Sequence, residues 1–215
     1  MEFDIIDLGL IDFGKAWGLQ RDRFEGIRDN AMRSALFLCR HYPVITSGRN
    51  AKTGNILAAK EELGACGIRV YEIERGGDVT YHGPGQLTVY PVFNLDYFKK
   101  DIHLFLRALE DIIIGSLGAC GIRAGSIPRL TGVWAGEKKI ASVGISIKNW
   151  ITLHGLSINI RGDDMQNFKL IRPCGLDVEM TCAEAVLDRH IDMETVKQKV
   201  IFNFLRVFQA EPILT

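Results

Sequence analysis

The chain has 215 residues, of which 47% are hydrophobic and 24% charged. These values are typical of one globular domain, and we expect that domain to span residues 1–215. Because 26 basic residues balance 26 acidic ones, the overall charge does not favour a nucleic-acid partner. No apolar run reaches the ~20 residues of a membrane helix, and an odd number of cysteines without a Cys-x-x-Cys pair favours reduced thiols in the cytoplasm.

The first predicted elements are a strand, a helix and a second strand. A short apolar run predicts a strand over Phe3–Leu10, at an edge or paired with a neighbour. Apolar residues spaced three and four apart predict a helix from Asp12 to about Cys39. The residues of Pro43–Ser47 predict the second strand, which ends at a turn with Arg49 at its tip.

A short helix and two strands are expected next. The helix is predicted over Leu57–Leu63, and either Asn55 or Thr53 can act as its N-cap by accepting a hydrogen bond from the first turn. Alternating apolar and polar residues predict strands at Val70–Arg75 and Leu87–Phe93.

The C-terminal half contains the two most regular helical patterns. Helices are predicted over Asp101–Leu117 and Met193–Phe208, each beginning at or just after an aspartate that can cap it. A hairpin that starts at Gly132 leads into strands predicted at Ile140–Ile147 and Ile151–Ile160. Runs of strands with helices between some of them indicate an α+β (mixed α/β) fold, in which helices flank a central mixed, mainly antiparallel sheet.

The densest unusual stretch reads Arg75-Gly-Gly-Asp-Val-Thr-Tyr-His82-Gly-Pro-Gly-Gln86. Because glycine permits positive φ and close backbone approach, such a loop can cradle a ligand while Arg75 and His82 supply directed polar groups. A plain hairpin would not need this length or these polar residues, so the pattern favours a binding role. It matches neither a Walker loop nor a Rossmann fingerprint.

Cys174 is the candidate nucleophile. It stands in Arg172-Pro-Cys-Gly, where proline restrains the backbone and glycine leaves room for a substrate carbonyl. A catalytic thiol needs thiolate character, which an ammonium group a few ångströms away would stabilise. Lys139 is the candidate for that group and for proton transfer, although sequence spacing does not show that the two side chains meet.

His82 and His154 are alternative bases, because a cysteine–histidine pair is a common arrangement for a thiol nucleophile. The residues leave open which of them shares proton transfer with Lys139. The remaining three histidines, His41 among them, are expected at the surface. No spacing of cysteines and histidines matches a known metal site, so we expect no bound metal.

Four motifs together resemble the lipoyl(octanoyl) transferase family. They are the glycine-rich stretch 75–86, Gly-Val-Trp with Lys-Ile-Ala-Ser-Val-Gly within 132–144, His-Gly-Leu-Ser-Ile-Asn at 154–159, and Pro-Cys-Gly-Leu at 173–176. The resemblance covers about residues 42–185. One departure is Ile45, which stands where the family pattern His-x-Pro-Val-Tyr-Thr-x-Gly-Arg has tyrosine.

The resemblance implies a fold shared with biotin and lipoate protein ligases. It implies that Cys174 forms an acyl thioester and that Lys139 lowers the pKa of the Cys174 thiol. It also implies an acyl-binding pocket, to which we add His154 from the residue-level argument. The predicted pocket residues are Arg75, Gly76, Gly77, Asp78, Val79, Thr80, Tyr81, His82, Ser142, Val143, Gly144, His154, Gly155, Leu156 and Ser157.

The implied reaction moves an octanoyl group from acyl carrier protein to a lysine of a lipoyl domain, in lipoate biosynthesis. The expected acceptors are lipoyl domains of 2-oxoacid dehydrogenases or the glycine cleavage H protein; no nucleic acid and no membrane is expected as a partner. Because thioester exchange is nearly neutral in energy and amide formation from a thioester is downhill, the reaction needs no ATP, and we expect no cofactor.

Two alternatives stay open on sequence alone. An ATP-dependent lipoate–protein ligase of the same fold would bind an adenylate and need no nucleophilic cysteine, which the Pro-Cys-Gly context of Cys174 disfavours. A non-catalytic acyl-binding protein would keep the pocket, but the presence of both Lys139 and Cys174 disfavours it.

Overall fold

The computed structural model describes residues 2–52, 54–173, 178–208 and 212–214, the last of these by their backbone alone. Thr53 and Cys174 therefore lie outside the described residues. The strands and helices, in chain order, are β1 (Phe3–Ile11), α1 (Phe13–Arg28), β2 (Ser34–His41), β3 (Val44–Ser47), α2 (Lys60–Ala65), β4 (Arg69–Glu72), β5 (Val79–His82), β6 (Gln86–Val92), α3 (Ile102–Gly118), β7 (Val133–Ala135), β8 (Lys138–Lys148), β9 (Ile151–Asn159), α4 (Ala183–Leu187), α5 (Met193–Phe208) and β10 (Pro212–Leu214), with 3-10 turns at Leu95–Tyr97 and Met165–Leu170.

Seven strands form the larger sheet in the order β10-β1-β2-β6-β9-β8-β7. β1 pairs in parallel with β10 and β2, whereas the other neighbours pair antiparallel. The smaller sheet has the order β4-β3-β5, with β3 parallel to β4 and antiparallel to β5. The predicted mixed, mainly antiparallel sheet with flanking helices is thus confirmed.

The central strands of the larger sheet are covered on both faces. Every residue of β6 and of β9 is buried, as expected for strands that have neighbours above and below them. On one face, α3 and α5 pack through residues such as Leu109 and Phe204 against Leu36, Leu87 and Ile158. On the opposite face, α1 packs through a second apolar cluster, and the smaller sheet lies beside it.

The two regular helices agree with the sequence prediction, including their caps. Asp101 accepts a hydrogen bond from the backbone N–H of Leu104 at 3.0 Å, and Asp192 accepts one from Thr195 at 3.0 Å. These side chains satisfy N–H groups that have no partner within the helix. The two capping aspartates therefore indicated correctly where both helices begin.

The predicted helix from Asp12 to Cys39 is wrong in its second half. The helix ends at Arg28, Asn30 follows with φ of 56°, and Ser34–His41 forms the central strand β2. Seven of the eight β2 residues are buried, so its apolar run reflects burial on both faces rather than helical periodicity.

The predicted short helix is displaced. It runs over Lys60–Ala65, begins after Ala59 without a side-chain cap, and leaves Asn55 outside it. The Asn55 side chain instead donates a hydrogen bond to Asp78 at 2.5 Å. A long-range polar contact has thus replaced the expected local one.

Within the described ranges, none of the helices combines the length and the apolar character needed to cross a membrane.

Candidate active site

A cavity lies between the two sheets, with about 500 Å³ of space when the solvent at its opening is included. One wall comes from β6, β8 and β9, and the other from the glycine-rich stretch that leads into β5. All the predicted pocket residues except Tyr81 surround it, and four further residues contribute to the lining: Phe13, Ile73, Thr88 and Tyr90. Ile73, Thr88 and Tyr90 lie just outside the ends of the glycine-rich stretch 75–86, and Phe13 is distant from every motif in sequence.

Glycines allow close packing at the cavity, both between its two walls and between neighbouring strands of the larger sheet. The backbone N–H of Gly76 donates to the carbonyl of Ile145 at 2.8 Å, which joins the loop to β8. A Cβ at Gly144 would lie 3.1 Å from the Gly76 carbonyl oxygen, and a Cβ at Gly155 would lie 2.1 Å from the carbonyl oxygen of Val89. Side chains at these positions would push the backbones apart.

Arg75 anchors the loop wall to the smaller sheet. Its side chain is buried and donates from Nη2 to the Thr46 carbonyl at 2.7 Å and to Thr46 Oγ1 at 3.0 Å. Nη1 also donates to the Gly76 carbonyl at 3.0 Å. The guanidinium therefore joins β3 to the loop while it lines the cavity.

Asp78 also anchors the loop wall, at the next turn of the loop. Its carboxylate accepts from the backbone N–H of Val79 at 2.8 Å and from the side chain of Asn55. The carbonyl of Asn55 in turn accepts from the backbone N–H of Arg172 at 2.8 Å. This chain of contacts joins the cavity wall to the segment that runs toward Cys174.

Tyr81 lies on the other side of β5 from the cavity, contrary to the predicted pocket. Its ring is fully buried against Phe168, and its hydroxyl accepts from Asn167 at 2.8 Å and lies 3.4 Å from Asp164. Successive residues of a strand face opposite sides, so Thr80 and His82 face the cavity and Tyr81 does not. Tyr81 connects β5 to the 3-10 turn Met165–Leu170.

His82 is a buried, uncharged member of the cavity wall. Its Nδ1 lies 3.1 Å from Gln86 Oε1, and its ring is stacked on that of Phe13. Burial, together with the neighbouring positive charges of His41 and Arg75, lowers the pKa of His82 to about 3. Near neutral pH the ring is therefore the free base.

His41 is fully buried, so its predicted surface position is wrong. Its Nε2 lies 2.7 Å from the hydroxyl of Tyr90, and its Nδ1 lies 3.0 Å from the carbonyl of Ile11. Burial lowers the pKa of His41 to about 4. Together with His82, this ring supports the inner end of the cavity.

His154 interrupts the regular alternation of β9. Leu156 and Ile158 pack toward α3 and α5, and alternation would place His154 on that same face. Its φ of 61° instead brings the ring beside Trp17 and Glu74 on the cavity side. A positive φ in a residue other than glycine, inside a strand, is a strained arrangement of the kind found at functional sites.

Glu74 is the charged neighbour of His154. The two side chains are 3.4 Å apart between Nε2 and Oε1, an ion-pair distance without the alignment of a full hydrogen bond. This neighbour is the main cause that lowers the pKa of Glu74 to about 2. Glu74 is therefore a carboxylate at every pH of interest.

Lys139 is buried at the end of β8 that leads toward the cavity. Its Nζ donates to the carbonyl of Thr131 at 2.9 Å and lies 5.0 Å from the centroid of the Trp134 ring. The chain at Gly132 makes room for the lysine, because a Cβ there would lie 2.6 Å from Lys139 Cε. A buried ammonium on an aromatic face is a costly arrangement that proteins use where its charge is needed.

The backbone of Lys139 is paired with the segment that follows Cys174. Its N–H donates to the carbonyl of Glu179 at 2.8 Å, and its carbonyl accepts from the N–H of Thr181 at 2.9 Å. Cys174 itself lies outside the described residues. The described chain on both sides of it is nevertheless held, at Arg172 by Asn55 and at residues 179–181 by Lys139.

Among the described residues, no group of three or more histidine, cysteine, aspartate and glutamate side chains is arranged to bind a metal. The described cysteines are free thiols, and burial raises the pKa of the thiol at Cys39 and at Cys182.

The class of protein follows from a comparison with known families. Residues 12–205 match the lipoyl protein ligase A/B catalytic domain, so the chain has the catalytic domain of that class.

The curated relatives define the family more narrowly. The chain is 43% identical over 204 residues to an octanoyltransferase of Clostridium kluyveri, covering 95% of this chain and 87% of the relative. It is 41% identical to an octanoyltransferase of Solibacter usitatus, covering 95% of this chain and 92% of the relative. The chain belongs to the lipoyl(octanoyl) transferase family, whose members are enzymes of octanoyl transfer in lipoate biosynthesis.

Solved structures share the fold at low sequence identity. A putative lipoate protein ligase from T. acidophilum with bound lipoic acid has a TM-score of 0.77 at 16% identity, with coverage of 100% of this chain and 89% of that one. Biotin protein ligase from Aquifex aeolicus has a TM-score of 0.56 at 15% identity, with coverage of 97% and 70%. The predicted fold shared with biotin and lipoate protein ligases is confirmed.

Proposed function

We propose that the octanoyl group passes through a thioester on Cys174, with acyl carrier protein as donor and a lipoyl-domain lysine as acceptor. The observation that carries this proposal is the position of Lys139. The lysine is buried, and its backbone is paired with residues 179–181, a few residues beyond Cys174. A desolvated ammonium next to a thiol favours the thiolate.

The walls of the cavity support binding of a medium-chain acyl group. Phe13 and Ile73 contribute apolar side chains, and Gly144 and Gly155 leave the surface of β8 and β9 open beneath them. Burial of apolar surface there would stabilise a bound acyl chain by roughly 25 cal/mol per Å². The proposed substrate-contacting residues are the predicted set without Tyr81.

The first step balances as a thioester exchange. Cys174 Sγ, as thiolate, forms a bond to the acyl carbon while the carbon–sulfur bond to the carrier breaks, and the carrier leaves as its thiolate. In the second step the acceptor amine forms the carbon–nitrogen bond and the Cys174–acyl bond breaks. Lys139 passes the proton that the amine loses to the departing Cys174 thiolate.

The whole chain, residues 1–215, is proposed to act as a single catalytic domain in the cytoplasm. The acceptor is proposed to be a lipoyl domain, of a 2-oxoacid dehydrogenase or of the glycine cleavage H protein. In support, one structural neighbour is an archaeal lipoate protein ligase studied together with its E2 lipoyl domain, with a TM-score of 0.73.

The experiment is intact-mass analysis after mixing with octanoyl-acyl carrier protein without ATP. Wild type is compared with Cys174→Ala and Lys139→Ala. The matched controls are Cys66→Ala, which removes an exposed free thiol, and Lys138→Ala, which removes the adjacent lysine that pairs with Glu179 at the surface. We expect an octanoyl adduct on wild type and both controls, none on Cys174→Ala, and at least a hundredfold slower formation on Lys139→Ala.

Two results would contradict the proposal. Transfer that appears only when ATP and free octanoate are supplied would assign the chain to the ATP-dependent ligases. An adduct that persists in Cys174→Ala would move the thioester to another residue.

A further inference from the structure

The inner end of the cavity is closed by one aromatic ring, that of Phe13. It is the first residue of α1, and the preceding Asp12 caps the helix by accepting from the Lys15 N–H at 3.2 Å. The Phe13 ring is 2% exposed. Its centroid lies 5.4 Å from that of His41 and 5.1 Å from that of Tyr71.

Exposure along the cavity shows which end is open. Gly77 is exposed, and Ser142 and Gly144 are partly exposed, so the opening lies between the glycine-rich loop and β8. At the other end, Phe13 and Tyr90 are at most 3% exposed. A chain that enters at the opening therefore meets Phe13 last.

The length of the cavity is set by the strands beneath it. Gly144 lies five residues beyond Lys139 on β8, which corresponds to roughly 17 Å of extended strand. The Lys139 side chain and the reacting carbonyl take up part of that length. The remainder has room for a medium-chain acyl group, and Phe13 lines the buried part of the same cavity.

A second depression lies behind this ring. It has about 490 Å³ of space when the open solvent is included, and its lining includes Pro43, Val44 and Tyr71 together with Phe13 itself. Phe13 therefore lies between the two spaces and contributes to both. Removing ring atoms at this position would connect them.

We propose that Phe13 sets the longest acyl chain that the enzyme accepts. This rests on the proposed function, since it concerns the acyl group that the cavity holds. The side chain limits the substrate by occupying the space into which additional methylene groups would extend. It takes no part in bond making or proton transfer.

The first test offers an equimolar mixture of octanoyl-, decanoyl-, dodecanoyl- and myristoyl-acyl carrier proteins and reads the adducts by intact mass. In Phe13→Ala the ratio of dodecanoyl to octanoyl adduct should rise at least tenfold over wild type, and in Phe13→Leu by a smaller factor. The matched control is Phe24→Leu, a buried phenylalanine of the same helix that packs against the larger sheet away from the cavity. It should leave the ratio unchanged.

The second test measures binding of the free fatty acids of the same lengths by calorimetry, which does not depend on Cys174. Wild-type affinity should rise up to about the medium chain length and then fall, whereas in Phe13→Leu the fall should move to longer chains. The shift in binding would uphold the inference even if no acyl-enzyme formed, which would count only against the thioester mechanism. A folded Phe13→Leu with a wild-type length profile in both tests would overturn it.

Discussion

The two walls of the cavity are held in place by different forces. The larger sheet is fixed by an extensive apolar cluster that it shares with α3 and α5. The smaller sheet has a much smaller apolar cluster, around Ile45, Tyr81 and Phe168. Its cavity face is fixed by hydrogen bonds that Arg75 donates and Asp78 accepts. We call the larger sheet the apolar wall and the smaller sheet, with the glycine-rich loop, the polar wall. The apolar wall therefore determines whether the protein folds, and the polar wall determines the shape of the cavity.

The largest expected effect concerns the apolar wall. Leu109 of α3 is fully buried in its cluster, so Leu109→Ala should lower the free energy of unfolding by about 2–5 kcal/mol. Chemical denaturation measures this loss. Binding of octanoate to the remaining folded protein should be unchanged, and the control Leu104→Ala, at a partly exposed position of the same helix, should change stability much less.

The polar wall should respond with a loss of both stability and binding. Arg75→Met leaves the Thr46 carbonyl, its hydroxyl and the Gly76 carbonyl without this donor. At ~1–3 kcal/mol for each buried group left unpaired, we expect a loss of about 3 kcal/mol and a tenfold or greater loss of octanoate affinity.

The matched control for that change is Arg69→Met. Arg69 lies in the smaller sheet, but its side chain is 75% exposed and reaches Asp12 only at 3.8 Å. An exposed pair of this kind contributes little to stability. Equal losses in the two variants would show that the polar wall is not anchored by Arg75.

Acid should destabilise the polar wall in a defined range of pH. The pKa of His82 is about 3 in the folded protein, against an ordinary value of 6.5. The unfolded chain binds a proton as the pH falls below 6.5 while the folded protein does not, so the stability present above pH 6.5 is lost toward pH 3.

At ~1.4 kcal/mol per pH unit, His82 should account for up to about 2 kcal/mol between pH 6.5 and pH 5. Urea denaturation of wild type and His82→Gln across this range would measure it. The curve for His82→Gln should be flatter than that of wild type, although His41 retains its own contribution. The exposed His103 provides the control, and His103→Gln should follow the wild-type curve.

The smallest expected effect concerns the outer side of the polar wall. Tyr81→Phe keeps the buried ring and removes the contacts of the hydroxyl with Asn167 and Asp164. We expect a loss of about 1 kcal/mol in stability and unchanged affinity for octanoate, measured by denaturation and calorimetry. Tyr97→Phe, at an exposed position, is the control. A tenfold loss of affinity with unchanged stability would restore Tyr81 to the cavity lining.

The sequence could predict the features that depend on residues close together in the chain. Helices α3 and α5 were predicted with their caps because Asp101 and Asp192 act on residues three positions away. Most of the cavity lining was predicted from the resemblance to the lipoyl(octanoyl) transferase family, which rests on glycines and polar residues in short motifs.

The features that the sequence did not predict depend on contacts between residues far apart in the chain. The run Ala35–Cys39 fits a helix or a doubly buried strand equally well until its neighbours are known. The side of β5 on which Tyr81 lies is tied to Asn167, 86 residues later. Phe13 carries no motif, and its position is determined by His41, Tyr71 and His82 together.

The pairing of Lys139 with residues 179–181 has a consequence for synthesis of the chain. A nascent chain that ends before residue 179 carries the lysine and most of the cavity wall but lacks the strand-like partner that holds them. Contacts between residues far apart in sequence form slowly, after the local elements. The part of the cavity wall around Lys139 should therefore reach its final packing as one of the last events of folding.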